Sequence, residues 1–140
     1  MTSKLNQLDA AHHDLSRLFL EVAKYTTIQV LDSRRGEAAQ MLAYHSGRSK
    51  VTFGNSAHNY VPSIAVDVVP LPLNWSHPAP FIDLARKWVL PTAKKMGIPI
   101  RWGGDWNMNG ETKDEHFIDL PHYELHPWRE YAKSATLYRG

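Results

Sequence analysis

Residues 64 to 69, Ile-Ala-Val-Asp-Val-Val, restrict the fold more than any other stretch of the chain. A short apolar run rich in β-branched residues and closed by Pro70 and Pro72 reads as a strand, because Val and Ile pack well on a pleated surface and proline does not continue a ladder. Asp67 stands inside that run and needs a reason. A carboxylate buried in an apolar strand is costly to desolvate unless it is paired or coordinates a metal. The alternative is an alternating strand whose Asp67 points to solvent.

The flanking patterns supply the other elements. Leu5, Leu8, Leu15, Phe19 and Val22 recur at three- and four-residue steps with His12 filling a gap, which predicts one N-terminal helix over about 3–24. Thr26 to Leu31 reads as a strand, and Asp32-Ser33 as the cap of a helix from Gly36 to Tyr44 that Gly47 ends. Residues 48–61 read as a long loop. Ser76 and Pro78 open a third helix with Phe81, Leu84, Ala85, Trp88 and Val89 on its apolar face, and Pro91 should kink or restart it. Gly97 is a C-cap before a strand over 98–102, Gly103-Gly104 opens an irregular segment to about 116, and His122 to Leu125 forms the last strand. Helices early and strands joined by long loops predict an α+β domain with a small antiparallel sheet, and 140 residues predict a single domain.

Composition removes several function classes. Sixteen Lys and Arg stand against 14 Asp and Glu, and the basic clusters Arg34-Arg35 and Arg48-Ser-Lys50 are short, so no nucleic-acid footprint is expected. There is no cysteine, hence no disulfide framework, no zinc finger and no thiol nucleophile; any metal site must use His and carboxylates. No Gly-x-Ser-x-Gly or phosphate loop is present. No run reaches the roughly 20 apolar residues that span a bilayer, and the start of the chain lacks the layout of a signal peptide, so a soluble protein made in a cytoplasm is expected, with no membrane insertion.

A second segment, Asp119-Leu-Pro-His122-Tyr-Glu-Leu125, pairs naturally with the first. Pro121 fixes the turn before His122, and the residues after it place His122 at the start of a strand. Of His58, Asp67, Asp119 and His122, three could hold a zinc ion and the fourth could act as a base, since catalytic zinc sites use three protein ligands and leave the fourth position to water. Read alone, the segment favours Asp119 as a turn residue and His122 as a satisfied core histidine.

Together the two segments resemble the VanY-like zinc peptidases of bacterial cell walls, which include D-Ala-D-Ala carboxypeptidases and phage L-alanyl-D-glutamate endopeptidases. Ser56-Ala-His58 with Ala65-Val-Asp67 is similar to the family's Ser-x-His and Ala-x-Asp, and Asp119-Leu-Pro-His122 to its closing Asp-x-x-His. Trp102-Gly-Gly-Asp-Trp106 resembles a stretch that phage members carry before that motif, and Arg35, Gln40 and Gly47-Arg48-Ser49 fall at the family's upstream spacing. The resemblance implies a hedgehog/DD-peptidase-like zinc peptidase fold with its core over about 26–132. It also implies one Zn2+ per chain on His58, Asp67 and His122, with Asp119 as general base and Arg35 at the oxyanion; Arg34 is the neighbour that could replace Arg35. The activity implied is that of a monomeric phage endolysin cutting the L-Ala to D-Glu bond of the peptidoglycan stem peptide. Such a protein waits in the host cytoplasm and reaches the wall from the periplasm once the membrane opens. A D-Ala-D-Ala carboxypeptidase and a non-catalytic wall-binding module are the alternatives. The resemblance covers Asp32 to Leu125 and leaves the N-terminal helix outside. It departs from the family in one respect: eight residues separate His58 from Asp67 where six are usual.

Asp105, Asn107 and Asn109 follow the oxygen-ligand spacing of a calcium loop, with Gly110 at position six but His116 in place of the final Glu. That segment is either a weak Ca2+ site or an Asn- and Gly-rich turn beside the active site. His12, His13 and His45 are expected to be solvated or packed, and His77 and His126 to shape turns. His116 is near enough in sequence to contact substrate, and Trp106 is the tryptophan best placed to line a groove.

Overall fold

In the computed structural model, which describes residues 1–115 and 117–140, the strand carrying Asp67 lies in the interior of a sheet. The strands in chain order are β1 (Ile28–Asp32), β2 (Tyr60–Val61), β3 (Ala65–Pro70), β4 (Ile100–Trp102), β5 (His122–Leu125) and β6 (Thr136–Leu137). The helices are α1 (His13–Val22), α2 (Glu37–His45), α3 (Ala79–Asp83), α4 (Leu90–Met96) and α5 (Trp128–Ala132). β1, β3, β5 and β4 lie side by side in that order, all antiparallel, while β2 and β6 pair as a separate ribbon. This is the α+β arrangement with a small antiparallel sheet that the element order predicts.

Register decides which side chains share a face. Val66 faces Tyr123, and Tyr123 faces Trp102; one step along, Asp67 faces His122. Because successive side chains alternate across a sheet, Val66, Val68, Ile100, Trp102, Tyr123 and Leu125 fall on one face, and Asp67, His122, Glu124 and Arg101 on the other. The apolar face is covered by α1 and by the helical run through α4. Leu15, Leu18, Phe19 and Val22 of α1 are wholly buried there, and the Phe19 ring meets Tyr123 edge-on at 5.4 Å. Each such side chain contributes about 1.5–3 kcal/mol by leaving water. With that face committed to the core, the opposite face is left to carry chemistry. A bulge between Val30 and Asp32 sets Asp32 opposite Asp67.

The single helix expected over 3–24 is divided. A 3-10 turn at Asn6–Ala10 precedes α1, and the backbone is extended at Ala11 (φ −91°, ψ 156°) and His12 (φ −53°, ψ 142°) between them. The break lets Ser63 bond the chain on both sides: its N–H donates to Ala10 at 2.8 Å, and its carbonyl accepts from His12 at 2.8 Å. His12, which fills a gap in the apolar stripe, is the cap of α1, its Nδ1 accepting from the Asp14 N–H at 3.0 Å.

Two other elements differ from expectation. Asp32-Ser33 does not cap α2; Gly36 occupies that place without a side-chain bond, and the first helical N–H, that of Glu37, donates to the Arg139 carbonyl at 3.0 Å. The helical run from α3 to α4 is continuous through one wide π turn over Leu84–Val89, and Pro91, which donates no N–H, follows directly after that turn as the second residue of α4. Gly97 ends α4 in the left-handed conformation at φ 72°, as its position predicts. The short α5 and β6, after the last expected strand, carry too few residues for a periodic signal.

Candidate metal centre and active site

Asp67 and His122 meet as a directly opposed pair on β3 and β5. His58 joins them from a 3-10 turn over Ala57–Asn59, capped by Ser56, whose hydroxyl accepts from the His58 N–H at 3.2 Å. The serine of the Ser-x-His element therefore builds the turn that presents the histidine. Asp67 Oδ1 lies 3.2 Å from His58 Nε2 and 3.5 Å from His122 Nδ1, and the two ring nitrogens are 3.2 Å apart.

The outward nitrogens of both imidazoles are committed. His58 Nδ1 donates to the Ser33 carbonyl at 2.6 Å, and His122 Nε2 donates to Glu124 Oε1 at 2.7 Å. Each ring thus turns a lone pair inward when neutral. Asp67 Oδ1 is buried between them and makes no bond with hydrogen-bond geometry. Two nitrogen lone pairs and a carboxylate oxygen converging with no donor between them is a donor set that fits a divalent cation. Without one, burial works against charge on His122, but the Asp67 carboxylate beside it and the bond to Glu124 prevail and its pKa is pushed up to about 10. Burial likewise opposes ionisation of Asp67, yet His58 and His122 hold its carboxyl far below the usual range.

Glu124 was not among the residues singled out from the sequence, although its place two along the same strand from His122 is the signal that would have found it. Arg101 of β4 grips it, Nη2 at 2.7 Å and Nε at 3.2 Å from Oε2, giving a chain from guanidinium to carboxylate to imidazole. Burial would raise the Glu124 pKa; the His122 bond and the Arg101 charge lower it instead.

Asp119 opens a turn in which its carbonyl accepts from the His122 N–H at 3.1 Å. Gly103 clamps that turn from the other side, its N–H donating to the His122 carbonyl at 2.8 Å and its carbonyl accepting from the Asp119 N–H at 2.9 Å. A Cβ on Gly103 would run into the Asp119 carbonyl oxygen, which explains the glycine there. The indoles of Trp102 and Trp106 fasten the same loop, each donating at 2.7 Å, to the Leu120 and Phe117 carbonyls. Desolvation raises the Asp119 pKa, its largest cause, a bias suited to a group that takes and returns a proton.

Arg35 and Arg34 part company in three dimensions. Arg35 turns to the site, Nη2 lying 3.5 Å from Asp67 Oδ2 and 3.4 Å from Asp32 Oδ2. Arg34 stacks on Tyr138, 4.7 Å from the ring centre. Buried Gln40 holds Arg35 Nη1 through Oε1 at 3.1 Å, while its Nε2 donates to Ser49 Oγ at 3.0 Å and the Val51 carbonyl at 2.8 Å. The eight-residue gap between His58 and Asp67 accommodates β2, which pairs with β6, and Ser63, which ties to the N-terminal segment, without separating the two side chains.

The calcium-loop candidates are held by the loop's own bonds. Asp105 accepts from the Asn109 N–H at 3.1 Å and the Gly110 N–H at 2.6 Å, Asn107 Oδ1 from the Asn109 N–H at 3.3 Å, and Asn109 Oδ1 from the Glu111 N–H at 2.9 Å. His116, the last position of that pattern, lies outside the described residues. Trp106 lines the site, its ring 5.2 Å from that of His122. His12 and His13 lie near Asp14, but Asp14 also pairs with Arg17 at 3.0 Å.

A buried His-Asp-His set beside a half-buried carboxyl and a guanidinium, opening on a cleft of about 880 Å³, defines a metallopeptidase-like hydrolase. The chain belongs to the phage L-alanyl-D-glutamate peptidase family, whose model matches residues 1–126. That match includes the N-terminal segment, which the resemblance read from the sequence had left outside. The structure is also similar to the crystal structure of the Serratia marcescens L-Ala D-Glu endopeptidase ChiX, with a TM-score of 0.71 and 27% identity over 91% of this chain and 88% of that one. No curated protein matches. The chain is thus a peptidoglycan endopeptidase of the phage type.

Proposed function

We propose that the protein is a Zn2+-dependent endolysin that hydrolyses the L-Ala–D-Glu bond of the stem peptide, with one ion held by His58, Asp67 and His122. The observation that carries the reading is Asp67 Oδ1, buried between two imidazole lone pairs with no hydrogen bond of its own. When bound, the ion supplies Lewis-acid polarisation of the scissile carbonyl and acidifies water to a pKa of about 7. Asp119 takes the proton of the attacking water and returns it to the D-Glu amine as the bond breaks. Arg35 donates to the carbonyl oxygen as negative charge gathers there, a task suited to a guanidinium held by Gln40. Glu124 and Arg101 orient His122 and play no part in proton transfer.

Among the described residues no helix is long and apolar enough to cross a membrane. In the reading proposed, a monomer is stored in the host cytoplasm and meets the wall from the periplasmic side after the membrane opens. The loop from Asp105 to Glu111 serves as a wall of the site and needs no Ca2+, since its own hydrogen bonds fold it.

The test is metal content per chain together with mass spectrometry of digested peptidoglycan. Stoichiometric zinc and new N-terminal D-Glu are expected. Release of terminal D-Ala would mark a carboxypeptidase, and wall binding without cleavage a non-catalytic module.

A further inference from the structure

A glutamate inside a peptide has one carboxyl in the onward bond and keeps the other as a carboxylate. In a substrate cut at L-Ala–D-Glu, that negative charge lies on the leaving side, close to the scissile nitrogen. The protein must either meet it with a cation or leave it in water.

A smaller polar depression of about 210 Å³ adjoins the large cleft, and His58, His122 and Asp119 border it. Four cations line it: Arg35, Arg48, Lys50 and Arg101. Two are engaged. Arg35 is shared among Asp32, Asp67 and Gln40, and Arg101 is spent on Glu124. Among the described residues, Arg48 and Lys50 have no carboxylate within salt-bridge distance. Arg48 borders both depressions, as Asp119 does, and its Nε donates to Ser46 Oγ at 3.0 Å. Lys50 Nζ stands 5.3 Å from the Phe117 ring centre, on the loop that leads to Asp119. Both sit on the segment that buried Gln40 anchors at Ser49 and Val51, the same side chain that holds Arg35. The segment that carries this uncompensated positive charge is therefore anchored on one side of the site.

We propose that Arg48, assisted by Lys50, binds the free carboxylate of the D-Glu residue and makes the enzyme selective for stem peptides that retain it. The proposal rests on the L-Ala–D-Glu reading above. It sets the direction of the substrate, with the D-Glu side in the small cationic depression and the L-Ala side in the large apolar cleft.

Two synthetic stem peptides that differ only at that carboxyl, one a carboxylate and the other a carboxamide, test it with the zinc-loaded protein. The wild type should favour the carboxylate in kcat/KM by roughly 10- to 100-fold, the size of a charge-assisted hydrogen bond. The double variant R48Q/K50Q should bring that ratio towards one with zinc per chain unchanged, and Arg48→Glu should favour the carboxamide. A wild type without preference, or variants that keep the wild-type ratio or lose both substrates equally, would overturn the subsite. Cleavage of neither peptide by zinc-loaded wild type would overturn the underlying reading, and the subsite with it.

Discussion

Asp119, half-buried, and Glu124, buried, are both acids near His122, and their environments suit them to different work. Among the described residues the Asp119 carboxylate makes no side-chain hydrogen bond, and desolvation lifts its pKa; Glu124 is locked between His122 and Arg101 and held ionised. Asp119→Ala is therefore expected to lower kcat by about 10²–10⁴-fold while zinc per chain stays at the wild-type value. Kinetics beside metal analysis checks this, and retained activity would remove Asp119 from the mechanism. Glu124→Gln is expected to weaken zinc by about 10- to 100-fold, read by chelator competition, because it loosens the orientation of His122. The metal-free His122, with its pKa near 10, also sets a pH signature. Its folded pKa lies above the unfolded value, so its stabilisation of the metal-free fold is complete below about 6.5 and fades as pH rises towards 10. If zinc occupies the site as proposed, it displaces that proton, so binding at pH 7.5 should release about one proton, seen as a calorimetric enthalpy that varies with the buffer.

At the scale of elements, β5 is the piece on which the site depends, because it carries His122 and Glu124 outward while Tyr123 and Leu125 face the core. Gly103 helps to place its leading turn through two backbone bonds, to Asp119 and His122, beside the Trp102 indole on the Leu120 carbonyl. Gly103→Ala would force the turn away from β4, since its Cβ collides with the Asp119 carbonyl. The expected result is a loss of kcat/KM of about 100-fold, typical of a catalytic group moved by an ångström, with about 1–3 kcal/mol of destabilisation by denaturant. An unchanged kcat/KM would show that the turn tolerates displacement. The strand over 122–125 and the Gly97 stop of α4 were legible in the sequence because both depend on neighbours in the chain. The divided N-terminal helix was not, since the break at Ala11–His12 is made by Ser63, some fifty residues away.

Across the whole molecule, the last residues close over the first part of the site. β6 pairs with β2, Tyr138 N–H donates to the Asn59 carbonyl at 2.8 Å, and Gly36 leaves room for the Arg139 carbonyl that caps α2. Deleting 136–140 should therefore destabilise the protein by about 2–4 kcal/mol, a few net hydrogen bonds, and reduce activity through Arg35 and His58. Urea unfolding measures the first effect, and an unchanged midpoint would count against it. The sequence by itself determined the kinds of ligand available, the strands that carry Asp67 and His122, and the order of motifs that marks the family. It left open whether Asp67 faced solvent, whether Arg34 or Arg35 reached the site, and what held His122. Tertiary structure decided these: register sets Asp67 against His122, Tyr138 draws Arg34 away, and Arg101 brings Glu124 to His122 from a neighbouring strand. The physical reason is range. Periodicity and turn chemistry act between residues two to four apart, whereas pairing register and the satisfaction of buried polar groups join segments tens of residues apart.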